Sequence, residues 1–495
     1  MISARNAERA AAPLREELAN LREAVVCESA SIYDSWNPPI ERRAFRLVAR
    51  NLAAYIALRR RDLRSLQVAL MPFGLSSLGR CESRVLPTLD AVLRTASYVS
   101  GEQLGLAPAY PRTAQFFRGD RQLQRNTEEL FGARPQRRST RIMVTLPSEA
   151  ASDAAFVRSL VEHGMNCARI NAAHDSPEMW KAMIANVRAA SKSTGNACAV
   201  LVDIAGPKMR IERVEFPGTD ECVRRGDTIV LAHGVYGPRI PGAARAICGL
   251  PEVFPALEPG HRVMIDEGRI GARVERADKN GAVLRIDQAR ERGEKLRAQK
   301  GLNFPDTQLD LDPLTSDDYD TLDEIAQDTD LIGYSFVRDP ADVALLQEEL
   351  RKRRPGALPG IVLKIETARA VANLPSLIVQ SARYASTAVM IARGDLAAEI
   401  GYRRVAEMQE ELLWICEAAS VPVVWATQVF DTFVKKGRRS RAEFTDAAMA
   451  ERADCVMLNK GPYIIEALEQ LDDLLGRMEA HQTKKTSRLR ALHSW

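Results

Sequence analysis

Short apolar runs alternate with longer amphipathic stretches over the last two-thirds of the chain. The runs lie at 140–146 (TRIMVTL), 167–171 (CARIN), 199–204 (AVLVDI), 330–336 (DLIGYSF), 360–366 (GIVLKIE), 388–393 (AVMIAR), 421–427 (VPVVWAT) and 453–459 (ADCVMLN). Nearly all are rich in β-branched residues and apolar at successive positions, as strands buried on both faces are. Segments 177–192, 340–353, 402–419 and 462–478 repeat apolar residues at helical spacing between them. Eight strand–helix units predict an α/β fold, a (β/α)8 TIM barrel over 140–211 and 299–480. One gap is oversized: about 125 residues separate the third and fourth strands. Within it, 212–298 reads as short strands and turns (GDTIVLA, HRVMIDEG, IGARVE, GAVLRID). That pattern predicts a small β domain inserted after strand three.

The N-terminal third reads differently. Segment 40–70 repeats apolar residues every three or four positions and predicts an amphipathic helix, with a second over 82–97. Residues 1–139 hold 22 arginines, no lysine and 14 acids, a net of +8, whereas the whole chain is +4. The first lysine is Lys181. This break places a domain boundary near residue 139 and predicts an arginine-rich helical extension that can be removed from the barrel. The run RRRDLR (59–64) has no aromatic residues interleaved. It therefore reads as a solvated helix face with arginine stems over apolar surface, and nucleic acid is not an expected partner. Residues 481–495 read as a polar tail.

No run of 18 or more uncharged apolar residues occurs, so no membrane span is expected. The N-terminus lacks the apolar stretch of a secretory signal. The eight cysteines are scattered without a CxxC pair, which suits reduced thiols in a cytoplasmic protein.

The chemistry lies at the strand ends. Arg169, Asn171, Asp203, Ser335, Lys364, Glu366, Asp395, Thr427 and Asn459 stand at or just beyond seven of them. Barrel sites form at the C-terminal ends of the strands, so these groups are expected to share one mouth. Glu366 and Asp395 are hard oxygen donors suited to Mg²⁺ or Mn²⁺. Lys364 is two residues before Glu366 and projects to the same side of its strand. A cation beside a metal suits phosphoryl transfer, whose transition state spreads negative charge over several oxygens. Gly394 lets the backbone approach a ligand. A helix starting at Arg393–Asp395 would offer free N–H groups to a carboxylate.

These residues lie in segments that carry a resemblance. GMNCARINAAH (164–174), VDIAGPKMR (202–210), VMIDEGRIGARV (263–274), KGLNFPD (300–306), IVLKIET (361–367), MIARGDLAAEI (390–400), ATQVFDTFVKK (426–436), SRAEFTDAAMA (440–450) and ADCVMLN (453–459) resemble, in order and spacing, segments of pyruvate kinases. The resemblance covers about 140–480. It implies a catalytic barrel with the β domain as a mobile lid, and the conversion of phosphoenolpyruvate and ADP to pyruvate and ATP. By motif position, Arg169 would bind the transferring phosphate and Lys364 would stabilise it. Glu366 and Asp395 would hold the divalent metal. Gly394, Asp395 and Thr427 would hold the phosphoenolpyruvate or pyruvate end, with Thr427 on the proton path to the enolate carbon. Asn171, His174 and Arg210 would lie near the nucleotide phosphates or the cation site. A homo-oligomer is compatible with this reading.

Several departures stand out. After the eighth strand the family carries Ser-Gly-Glu-Thr-Ala-Lys-Gly, where this chain reads LNKGPYIIEAL (458–468). The first strand runs into TLPSEAAS instead of Ile-Gly-Pro-Ala-Ser. About 15 polar residues follow 480 in place of the family's C-terminal domain, so no sugar-phosphate effector site of that kind is expected. Lys208 replaces the glutamate of K⁺-requiring members, and Ala173 replaces a serine ligand. Asn171, Asp203 and Lys208 would then form a monovalent-cation region in which an ammonium near Asp203 supplies the charge, so no requirement for K⁺ is expected. Two alternatives remain. LKIETARAVANL (363–374) also resembles metal-dependent lyases and aldolases that cleave C–C bonds through enolates, against which the lid, His174 and Arg210 weigh. A non-catalytic barrel is the other, against which the intact Lys364, Glu366, Asp395 and Thr427 weigh.

Overall fold

The computed structural model describes residues 4–36, 41–101 and 107–488. Residues 489–495 of the polar tail lie outside the described residues. Eight parallel strands close a barrel in sequential order: β1 Arg141–Thr145, β2 Cys167–Asn171, β3 Ala199–Asp203, β4 Leu331–Tyr334, β5 Gly360–Ile365, β6 Thr387–Ala392, β7 Val423–Ala426 and β8 Cys455–Leu458. Each apolar run became a strand because both of its faces are covered. Met143, Leu201, Val362, Met390, Val424 and Met457 fill the barrel interior, while Ile142, Val202, Ile361, Ile391 and Val456 join the outer core. The helices start where side chains cap them: Asp153, Thr315, Thr367 and Ser440 each accept a backbone N–H of the following turn.

Register sets the mouth. Asn171 is paired with Asp203 across β2 and β3, and Gly333 faces Asp203 across β3 and β4. A side chain at Gly333 would start 1.8 Å from Asp203 Oδ1, so the glycine makes the space that the carboxylate occupies. Between β3 and β4 the chain forms a seven-stranded sheet with its own apolar core, including Ile229, Leu231, Val263, Leu284 and Ile286. Two chain crossings tie this sheet to the barrel, bridged at Arg210 and Gly301.

The N-terminal region departs from expectation in three ways. Helix Ala4–Ser35 was not anticipated. The stretch 40–70 is two helices, Arg43–Arg59 and Arg64–Leu70. In the turn between them Asp62 accepts both the backbone N–H and the guanidinium of Arg64, the first residue of the second helix, while Arg60 and Arg61 pair with Glu28. Nor is the extension a loose appendage. Leu130 and Phe131 join the cluster that fills the barrel at its N-terminal end. A side chain at Gly360 would lie 2.6 Å from Leu130 Cδ2. Residues 482–483 and 486–487 of the tail form a hairpin. Among the described residues no helix is long and apolar enough to cross a membrane.

Candidate active site

The core of the mouth is a buried ammonium between two carboxylates. Lys364 Nζ donates to Ser335 Oγ at 2.7 Å and lies 3.2 Å from Glu366 Oε1 and 3.4 Å from Asp203 Oδ2. Burial alone would lower the Lys364 pKa, but Glu366 and Asp203 outweigh it and hold the ammonium above its ordinary value. Asp203 is wholly buried and receives Arg169 Nε at 2.8 Å. Burial pushes its carboxyl up, and Arg169 and Lys364 together bring it below its usual range. Its second oxygen, Oδ1, has no hydrogen-bond partner. Glu366 Oε2 accepts the Phe336 N–H at 2.6 Å, and burial keeps this carboxyl raised despite Lys364.

Asp395 sits in the first turn of helix Arg393–Ile400, so the expected helix start is present. Gly394 N–H donates to Thr427 Oγ1 at 3.0 Å. Thr427, Gln428 and Phe430 all take left-handed backbone angles, with φ of 61°, 56° and 51°. Such strain persists only where surroundings impose it. Here Arg393 does so: it donates to Ala426 O and Thr427 O, pairs with Asp446, and lies 4.7 Å over the Trp425 ring. Sequence reasoning did not assign Arg393 or Asp446 a role. Their only signal is adjacency to Gly394 and a lone acid 53 positions on.

Lys208 is not where expected. Its ammonium lies 2.8 and 2.9 Å from the two oxygens of Asp395, while the hydrogen-bond partners of Asp203 come from Arg169 and Lys364. The inserted sheet reaches the same place. Gln428 donates to Glu267 at 3.2 Å, and Glu267 fills the space that a side chain at Gly394 would need. Burial, then Asp395, raises the Glu267 carboxyl. Glu267 stands in the turn of HRVMIDEG, where no local signal marks it.

Asn171, His174 and Arg210 lie to one side, on β2, the turn after it and the first chain crossing. Burial, with Lys460 and Arg210 nearby, holds His174 below its ordinary pKa. The short loop after β8 packs inward, with Gly461 against Val434 and Tyr463 against Gly437. Among the described residues no three His, Cys, Asp or Glu side chains form a metal-binding cluster. The available donors are two carboxylates, which is what a metal completed by water and substrate oxygens needs. The unpartnered Asp203 Oδ1 is a further buried acceptor. The set fits a hard cation.

Residues 137–467 match the family described as "Pyruvate kinase, barrel domain". The chain is 31% identical over 351 residues to a pyruvate kinase of Geobacillus stearothermophilus, covering 69% of this chain and 57% of that one. It is 30% identical over 353 residues to a pyruvate kinase of Mycobacterium tuberculosis, covering 70% and 71%. The human pyruvate kinase PKLR is 31% identical over 359 residues, covering 69% and 60%. The chain thus spans little more than half the length of some curated relatives. A crystal structure of a pyruvate kinase from Cryptosporidium parvum shares the fold, with a TM-score of 0.62 at 24% identity over 71% of this chain and 72% of that one. Motif order, barrel and relatives agree: the chain belongs to the pyruvate kinase family.

Proposed function

We propose that this chain transfers a phosphoryl group between phosphoenolpyruvate and ADP, giving pyruvate and ATP. The observation that carries the reading is Lys364, a buried ammonium held between Glu366 and Asp203 at the mouth of the barrel. In water that charge would be screened. Buried and fixed, it can stabilise negative charge that develops on a transferring phosphoryl group without reorganising. Arg169, anchored by Asp203, would bind the phosphate beside it. The Gly394 turn and Thr427 would hold the three-carbon end, and the Thr427 hydroxyl would lie on the proton path to the enolate carbon.

Glu366 and Asp395 would hold Mg²⁺ or Mn²⁺, which when bound neutralises phosphate charge and orients the donor oxygen. Asn171, His174 and Arg210 would face the nucleotide phosphates, with the inserted sheet acting as a lid that brings Glu267 to the mouth. With Ala173 in place of a hydroxyl ligand and Lys208 adding a positive charge, K⁺ would not be required. All eight cysteines are unpaired, in keeping with a reducing cytoplasmic setting.

The test is pyruvate formation by the purified full chain from phosphoenolpyruvate, ADP and MgCl₂, read through NADH oxidation by added lactate dehydrogenase. Glu366→Gln should lower the rate by about 10²-fold or more while the circular dichroism melting curve stays close to wild type. A wild-type rate no higher than that of Glu366→Gln would overturn the reading.

A further inference from the structure

Lys208 and Asp395 form a closely fitted ion pair at the mouth. Both carboxylate oxygens are engaged, and the two side chains are only 19% and 12% exposed. The backbone under the lysine is held in place, and its stem runs past a glycine. Its backbone N–H donates to Gly206 O at 2.8 Å. A side chain at Gly301, on the second chain crossing, would lie 2.9 Å from Lys208 Cε. The ammonium also lies 5.3 Å from the centre of the Phe336 ring.

Each of the three central acids already faces a cation. Asp203, Glu366 and Asp395 face Arg169, Lys364 and Lys208, three against three, and the Glu267 carboxyl beside Gly394 adds a fourth acid. A divalent ion placed at Glu366 and Asp395 would meet an ammonium already on one of its two carboxylates. At such separations, and shielded from water, like charges repel strongly. The metal and the Lys208 ammonium therefore cannot share Asp395 at close range.

The structure offers the lysine a second seat. A cavity of about 610 Å³ opens beside it, lined by Lys208, Met209, Phe304, Leu311, Phe336 and Glu399 among others. Glu399 stands four residues after Asp395 on helix Arg393–Ile400, so the two carboxylates lie one turn apart on one face. Glu399 receives only a long hydrogen bond, 3.4 Å from Asn303 Nδ2, so it has capacity for another donor.

Resting on the reading that Glu366 and Asp395 hold the divalent metal, we infer that Lys208 is a displaceable internal cation. It occupies Asp395 in the free protein and moves one helical turn to Glu399 when the metal enters together with an anionic substrate. The substrate's negative charge makes up the balance that the departing ammonium upsets. Metal and substrate then favour each other's binding, and by linkage the effect is mutual.

The experiment uses Mn²⁺ and the full chain, with free Mn²⁺ followed by its paramagnetic resonance signal, with and without phosphoenolpyruvate. Wild type should bind Mn²⁺ weakly alone and at least about tenfold more tightly with phosphoenolpyruvate. Lys208→Met, and Lys208→Gln as a second variant should Met misfold, should bind Mn²⁺ alone about tenfold more tightly than wild type and gain less from substrate. Glu399→Gln should leave binding without substrate as in wild type and reduce the gain from substrate. Equal Mn²⁺ affinities of wild type and both Lys208 variants without substrate would overturn the inference. The metal reading would survive that result if Glu366→Gln binds less Mn²⁺ than wild type. A Glu366→Gln chain that binds Mn²⁺ like wild type would overturn the metal reading and the inference together.

Discussion

The two ends of this barrel use charge in opposite ways. At the N-terminal end each buried cation is spent on fixed partners. Arg138, only 1% exposed, donates to Thr140 O, Gly164 O and Asn166 Oδ1 and pairs with Asp472. Arg141 holds Gly132 O and Ser139 O. Arg42 reaches Ala385 O and Ser386 Oγ, and Asn126 reaches Ser420 O. Most of these bonds end on backbone that cannot leave. At the C-terminal end the three cations Arg169, Lys364 and Lys208 meet their acids side chain to side chain. Lys364 is 3.2 and 3.4 Å from its acids, Asp203 Oδ1 has no partner, and Lys208 holds a carboxylate that a metal could claim. The lesson is that buried charge alone does not mark a site. Charge whose partners can be exchanged does.

The sharpest way to break this comparison is to damage the closed end and watch the open one. Phe131 is fully buried and packs with Met143, Leu331 and Val362 inside the barrel. Phe131→Ala should cost about 3–5 kcal/mol in urea unfolding, with kcat of the folded fraction unchanged. A loss below about 1 kcal/mol would mean that the plug is ornamental. A matching fall in kcat would mean that the two ends are one coupled unit.

A smaller effect is expected where the tail meets the extension. Glu82 is 2% exposed and bonds to Lys485 and the Tyr55 hydroxyl. Lys484 reaches Asp454 and Arg452 O beside it. Lys485→Met leaves the Glu82 carboxylate buried without its cation and should cost about 3 kcal/mol at pH 7. Adding Glu82→Gln should recover most of it, because the stranded charge is then gone. No recovery in the double variant would show that Lys485 acts through its ammonium over the Trp414 ring instead.

The open end was the more legible of the two, for a physical reason. Its residues are the last positions of strands whose two apolar faces announce them, and strand period 2 places Lys364 with Glu366 without further information. The eight strands and the inserted sheet followed from the same signal. The closed end depends on contacts between distant segments. Helix Ala4–Ser35 buries Ala11, Leu18, Leu21, Val25 and Ile32, spaced as a helix requires but diluted by alanine, arginine and an internal Pro13. Nothing local says that Leu130 and Phe131 point into a barrel that begins ten residues later. The same limit explains Lys208. It lies five residues from Asp203 in sequence and 187 from Asp395, yet the fold gives it to the distant acid. Sequence proximity favoured Asp203, but the β2–β3 register had already supplied that carboxylate with Arg169.

The smallest expected effect concerns protons. Three carboxyls are pushed up to about 7: Glu399 at the open end, Glu417 and Glu451 at the closed end. Glu451 is 4% exposed, and its Oε2 has no partner. Burial is the main cause, opposed by Gln482 and Lys484 and reinforced by Glu479. Its unfolded value is 4.5, so between 4.5 and about 7 the folded chain binds more protons than the unfolded one. Stability must then fall as pH rises through that window, by about 1–3 kcal/mol for a single such group. Glu451→Gln should flatten roughly a third of the slope of unfolding free energy against pH from 5 to 7.5 and leave the pH profile of the rate untouched. Glu399→Gln should flatten a similar share and shift the rate profile as well, because its carboxyl lies one turn from Asp395. If Glu451→Gln moved the rate profile as far as Glu399→Gln does, the closed end would not be a passive closure, and the contrast drawn between the two ends would fail.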